Sequence, residues 1–66
     1  MKIRDFTEPE LDKFRVLCNF TEDERKYFEM RAKDKSNIQI ALAMNISDSQ
    51  VSKLAKRVRS KMLRIL

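Results

Sequence analysis

Four times in 66 residues a Ser or Thr is followed three positions later by Glu or Gln: Thr7–Glu10, Thr21–Glu24, Ser36–Gln39 and Ser47–Gln50. This spacing is a capping box. The hydroxyl accepts from the amide three residues on, and the Glu or Gln side chain reaches back to the amide of the cap. Each box precedes apolar residues at helical spacing, so together they cut the chain into four helices. The spacing predicts helices over residues 8–18, 22–33, 37–44 and from 48 towards the end of the sequence. Connections of about three residues suit a compact bundle. The chain has no glycine and one proline, which argues against tight β-hairpins. The expected fold class is all-α.

The first predicted helix carries Pro9 in its first turn, where a missing amide costs no hydrogen bond. Phe6 and Leu11 are spaced for a hydrophobic staple. The expected buried stripe is Leu11, Phe14, Leu17 and Cys18. The second helix brings Tyr27, Phe28 and Met30, and opens on Glu22, Asp23 and Glu24. The positive end of a helix dipole accounts for acids there without invoking catalysis. The third helix is short and is followed by Asn45, the best non-glycine residue for a left-handed position. In the fourth, Val51, Leu54, Ala55, Val58, Met62 and Ile65 share one face of a helical wheel. Ser49, Lys53, Lys56, Arg57, Ser60 and Arg64 share the other.

Residues 36–56 therefore have the frame of a helix-turn-helix unit. Ile40 and Met44 are expected to face the core, and small Ala41 to sit where the helices approach most closely. Asn45 makes the turn, Ile46 plugs the corner, and Val51 and Leu54 point inward. The expected architecture is a tri-helical helix-turn-helix core with recognition helix 48–65. An extra N-terminal helix, 8–18, precedes it, all within a single domain of residues 1–66.

Several function classes are disfavoured. Cys18 is the only cysteine and there is no histidine, so neither an internal disulfide nor a zinc site is expected. There is no Gly-rich phosphate loop and no activated nucleophile, so no enzyme and no cofactor is expected. Cys18 reads as a small buried hydrophobe. No apolar run approaches the ~20 residues that span a bilayer, and no secretory leader is evident. A lone thiol fits a reducing cytoplasm.

The net charge is +5, unevenly spread. Residues 1–24 sum to −3 and residues 25–66 to +8. A polyanion-facing C-terminal half is one reading, and a solvated lysine-rich surface is the other. In helix-turn-helix units the start of the second helix enters the major groove of DNA. Ser47, Ser49, Gln50, Ser52 and Lys53 are placed there. Lys53 can donate to guanine O6 or N7, and Gln50 can pair with adenine, although Gln50 and Ser47 are also caps. Asp48 could accept from cytosine, but it also serves the helix dipole. Lys56, Arg57 and Ser60 lie where phosphate is expected. Ser36 and Asn37, at the start of the third helix, offer further phosphate donors.

Residues 20–62 resemble the DNA-binding domain of LuxR-type response regulators. The run Phe20-Thr21-Glu22-Asp23-Glu24 is similar to that family's Leu-Thr-x-x-Glu. Ser36-Asn37, Ile40-Ala41, Ile46-Ser47, Val51 and Lys61-Met62 correspond to its Ser-Asn-x-x-Ile-Ala, Ile-Ser, Val and closing Lys-Leu. The pattern also resembles region four of bacterial sigma factors. Ser52 stands where LuxR-type domains carry a DNA-contacting lysine, and Asp34-Lys35 where a glycine precedes Ser-Asn. Their fourth, dimerising helix is not expected here, since only four residues follow Met62.

The resemblance implies a bacterial or phage DNA-binding transcription regulator with double-stranded DNA as partner. The alternative is a sigma-like module that docks on RNA polymerase or another transcription factor. Met62, Leu63, Ile65 and Leu66 are candidates for a homodimer interface, unless the N-terminal helix covers them within one chain.

Overall fold

The computed structural model describes residues 2–66. A 3₁₀ turn (Ile3–Asp5) leads into four helices: α1 (Glu8–Leu17), α2 (Glu22–Ala32), α3 (Asn37–Met44) and α4 (Asp48–Ile65). No strand occurs among the described residues. Thr7, Thr21, Ser36 and Ser47 are the N-caps of the four helices, and each stands in a capping box. At α2, α3 and α4 both bonds of the box are made. At α1 the Glu10 carboxylate accepts from the Thr7 amide at 2.8 Å and from its hydroxyl at 3.0 Å.

All three connections between helices turn through a left-handed residue: Asn19 (φ 51°), Asp34 (φ 63°) and Asn45 (φ 55°). Asn and Asp tolerate this region better than other side chains, which is how a glycine-free chain turns three times. Asp34 thus fills conformationally the place where a glycine precedes the Ser-Asn pair in the resembling domains. Two of the connections are Schellman motifs. After α2, the Lys35 amide donates to Met30 O and the Asp34 amide to Arg31 O, both at 3.0 Å. After α3, the Ile46 amide donates to Ala41 O at 3.0 Å and the Asn45 amide to Leu42 O at 3.3 Å.

The core is one cluster to which every element contributes. Phe28, Ile40, Met62, Val51 and Val58 are its largest fully buried side chains. From the N-terminal segment come Ile3, Leu11, Phe14 and Cys18. Phe6 meets Phe14 edge-on at 5.0 Å between ring centroids. Leu17, expected in the α1 stripe, is instead exposed. At 100° per residue, Leu11, Phe14 and Cys18 cluster closely, and Leu17 falls beyond Phe14 on the outer flank.

The N-terminal segment is tied down by charge as well as by packing. Arg15 on α1 grips the Glu29 carboxylate of α2 through two nitrogens, both at 2.8 Å. Its guanidinium also lies 5.9 Å from the Phe28 ring centroid. Arg4 pairs with Asp34 at the end of α2.

Met62 is fully buried and Ile65 is half-buried against the core. This corrects their placement at a dimer interface. Met62 lies beside Ile3 of the 3₁₀ turn and Tyr27 of α2, and α1 packs against the end of α4 at Ile65. Phe6, Phe14, Ile65 and Leu66 line one cleft there. Leu63 and Leu66 remain exposed.

Candidate nucleic-acid interface

Residues 36–56 form the two helices and the turn between them. Ile40 and Val51 are fully buried, and Ala41 and Leu54 nearly so. Met44 and Ile46 are half-buried against the same core. Asn45, at φ 55° and ψ 49°, supplies the reversal. Ile46 follows directly, with its amide bonded back to Ala41 O, so its side chain is fixed at the corner. These contacts set the direction in which α4 leaves the turn.

The inner stripe of α4 is buried at Val51, Leu54, Val58 and Met62, and its outer side is exposed. Ser49, Gln50, Ser52, Lys53, Lys56, Arg57 and Ser60 all reach solvent, as do Ser36, Asn37 and Ser47. The expected site residues are therefore all exposed, at the starts of α3 and α4 and along the outer side of α4. Ser36 and Ser47 each accept from an N3 amide, at 3.1 and 3.2 Å, and keep their hydroxyl protons for another acceptor. Gln50 is more constrained. Its Oε1 accepts from the Ser47 amide at 3.0 Å, which holds the side chain against the cap and leaves its NH₂ and one oxygen lone pair free.

The cations of this surface lack carboxylate partners. Arg4, Arg15, Lys26 and Lys61 form ion pairs, whereas Lys53, Lys56, Arg57 and Arg64 form none among the described residues. One shallow cleft beside α4 is lined by Glu24, Lys56, Arg57, Ser60, Lys61 and Arg64. Another is lined by Asp23, Ile46, Gln50, Lys53, Leu54 and Arg57. Asp23 is thus an acid placed against the basic surface, a proximity that local spacing does not announce.

The packing support of this surface is a buried ion pair. Glu24 is 3% exposed, and its carboxylate takes both the Thr21 amide and the Lys61 ammonium. Lys61 also donates to Asn19 O at 3.2 Å. Burial alone pushes the Glu24 carboxyl up. The bonds from Lys61 and Thr21 outweigh it and hold the group below its ordinary range. The capping box and the helix dipole account for Glu24 within its own helix, and neither points to its pairing with the distant Lys61.

Residues 18–63, more than two thirds of the chain, match the family of bacterial regulatory proteins, luxR family. The chain belongs to that family. No curated protein and no solved structure matches it. LuxR-family domains are DNA-binding transcription regulators rather than enzymes, and the all-helical fold seen here is of that helix-turn-helix type. No group of three or more His, Cys, Asp or Glu that could hold a metal occurs among the described residues. The Cys18 thiol is buried, which pushes its pKa up and away from nucleophilic use. No helix is long and apolar enough to cross a membrane.

Proposed function

We propose that this luxR-family chain works as a single helix-turn-helix domain that binds duplex DNA in the bacterial cytoplasm by placing the start of α4 in the major groove. The observation that carries this reading is the two-sidedness of α4. Its buried stripe is held by the core, and its outer side presents Lys53, Lys56 and Arg57 without carboxylate partners. Lys53, on the second turn, donates to guanine. Ser49 and Ser52 make shorter-range contacts, and Gln50 contributes its free NH₂. Lys56, Arg57 and Ser60, farther along, meet phosphates, as do Ser36, Asn37 and Ser47 through hydroxyls and helix-start amides. With Ser52 in place of the customary lysine, base reading rests on few strong donors, and the backbone term dominates affinity.

The test is selection of bound duplexes from a random pool, followed by anisotropy titrations of the best sequence. A Lys53→Ala, Lys56→Ala variant with unchanged circular dichroism is expected to bind at least tenfold more weakly, at about 1.4 kcal/mol per decade. Unchanged affinity in that variant, or no duplex binding by the folded wild type at low salt, would overturn the reading. A second copy of the chain would double the base pairs read. Leu63 on α4 and its C-cap Leu66 are the exposed apolar residues available for it. Sedimentation velocity at micromolar concentration separates monomer from dimer.

A further inference from the structure

A third basic cluster lies outside the surface described so far. Lys2, Tyr27, Arg31 and Arg59 line one cleft, together with the apolar Ile3, Ala55 and Met62. The cleft is made by three elements: the 3₁₀ turn, α2 and α4. No carboxylate lines it, and Lys2, Arg31 and Arg59 form no ion pair among the described residues. The Tyr27 ring is buried, and its hydroxyl makes no hydrogen bond among the described residues. Burial pushes the hydroxyl's pKa up, more than the nearby Arg31 and Arg59 pull it down, so it remains a donor at neutral pH. Three uncompensated cations and one free O–H donor therefore converge on one concave spot.

Two connections link this spot to the α3–α4 surface. On α4, Ser52, Lys56 and Arg59 follow at i, i+4 and i+7, so they form one row along the helix. On α2, Arg31 donates to Lys35 O at 2.9 Å, and Lys35 directly precedes Ser36 at the start of α3. The cleft thus continues both edges of the proposed interface.

We propose that the cleft lined by Lys2, Tyr27, Arg31 and Arg59 binds a phosphate group, supplied by the DNA backbone flanking the bases read by α4. The DNA assignment rests on the function proposed above, and the phosphate chemistry does not. Guanidinium forks suit a phosphate's geometry, and the hydroxyl can donate to a further oxygen.

The experiment compares the wild-type chain of residues 1–66 with an Arg31→Gln, Arg59→Gln variant, both checked by circular dichroism. Anisotropy is measured on a selected duplex and on the same duplex with its flanking base pairs removed. The variant is expected to bind the long duplex about tenfold more weakly. Its log–log salt slope should be shallower by about 0.9 per lost phosphate contact. Trimming should weaken the wild type and leave the variant unchanged. In parallel, inorganic phosphate is titrated at constant ionic strength while tyrosine emission is followed. Tyr27 is the only tyrosine and there is no tryptophan, so emission reports on this cleft. A phosphate-dependent change lost in the variant, with duplex binding unaltered, would support the phosphate cleft and assign it to a free phosphorylated molecule. No difference in either assay overturns the proposal. If the wild type binds no duplex, the proposed function fails separately, and the phosphate titration alone decides the cleft.

Discussion

Replacing Lys61 by Met removes one charge while keeping the hydrocarbon stem, and it isolates the buried carboxylate of Glu24. The Glu24 side chain is 4% exposed and that of Lys61 is 26% exposed, so solvent screens this pair weakly. Breaking one partner of a buried pair costs roughly 3–5 kcal/mol when the remaining charge has no escape. Glu24 has one: it can take a proton. Neutralising it at pH 7 costs about 3.4 kcal/mol, at about 1.36 kcal/mol per pH unit above its ordinary value of 4.5. That sets the ceiling on the penalty for the stranded charge, and the lost attraction of the pair adds to it. At pH 5 the same ceiling falls to about 0.7 kcal/mol. A domain of this size has roughly 3–10 kcal/mol of stability in all. Lys61→Met at pH 7 should therefore lower the urea midpoint markedly and the Tm by about 10–20 °C. The cost should shrink towards pH 5.

The double variant Glu24→Gln, Lys61→Met keeps the capping box, since Gln39 and Gln50 already serve in two other boxes of this chain. It should lie within about 1 kcal/mol of wild type. Urea titrations of the four-protein cycle at pH 7 and pH 5 test this. A Lys61→Met cost below about 1 kcal/mol at pH 7, or one independent of pH, would refute the buried pairing.

Four further outcomes are expected. In the wild type, the depressed Glu24 pKa means its contribution is present above about pH 4.5 and is lost as pH falls through the folded-state value. Acid titration should show a shallower loss for Glu24→Gln. Asn45→Gly should raise stability by about 0.5–1 kcal/mol, and Asn45→Ala lower it by about 1, because φ is 55° there. Equal urea midpoints would contradict that geometry. Phe28→Ala should cost about 3–5 kcal/mol by emptying a fully buried site and leave little folded protein by circular dichroism. Asp23→Asn should tighten duplex binding several-fold at low salt, since the carboxylate shares a cleft with Lys53 and Arg57. Weaker binding would instead make Asp23 a contact residue.

What the sequence revealed was local. Capping boxes and apolar periodicity act over three or four residues, so the helix starts at Glu8, Glu22, Asn37 and Asp48 and the buried stripe of α4 could be read directly. The turn at Asn45 was legible because its neighbours Ala41 and Ile46 share the motif. Asn19 and Asp34 adopt the same left-handed turn without so distinctive a frame. The pairing of Glu24 with Lys61 joins residues 37 apart, and no spacing rule reaches that far. Leu17 was misplaced because α1 is covered on a narrow stripe, and a three-residue step from Phe14 leaves it. The availability of Met62 depends on where the 3₁₀ turn and α2 pack, which is a tertiary fact.

The distribution of ion pairs changes what the charge asymmetry means. The acidic N-terminal half does not neutralise the basic half at large. Its Glu22 and Glu24 pair with Lys26 and Lys61, its own Arg4 and Arg15 take Asp34 and Glu29 from the basic half, and the α4 surface is left uncompensated. A paired cation releases little when it meets a phosphate, because it must first give up its carboxylate. The salt dependence of binding should therefore count the unpaired cations that reach the backbone. If Lys53 reads a base, Lys56, Arg57 and Arg64 give a log–log slope near −2.7, at about 0.9 per phosphate. Adding the one phosphate held by the Tyr27 cleft takes it to about −3.6. The two values are far enough apart to separate binding through the α4 surface alone from binding that also uses the Tyr27 cleft. A slope much steeper than either would mean that cations elsewhere on the chain also meet DNA.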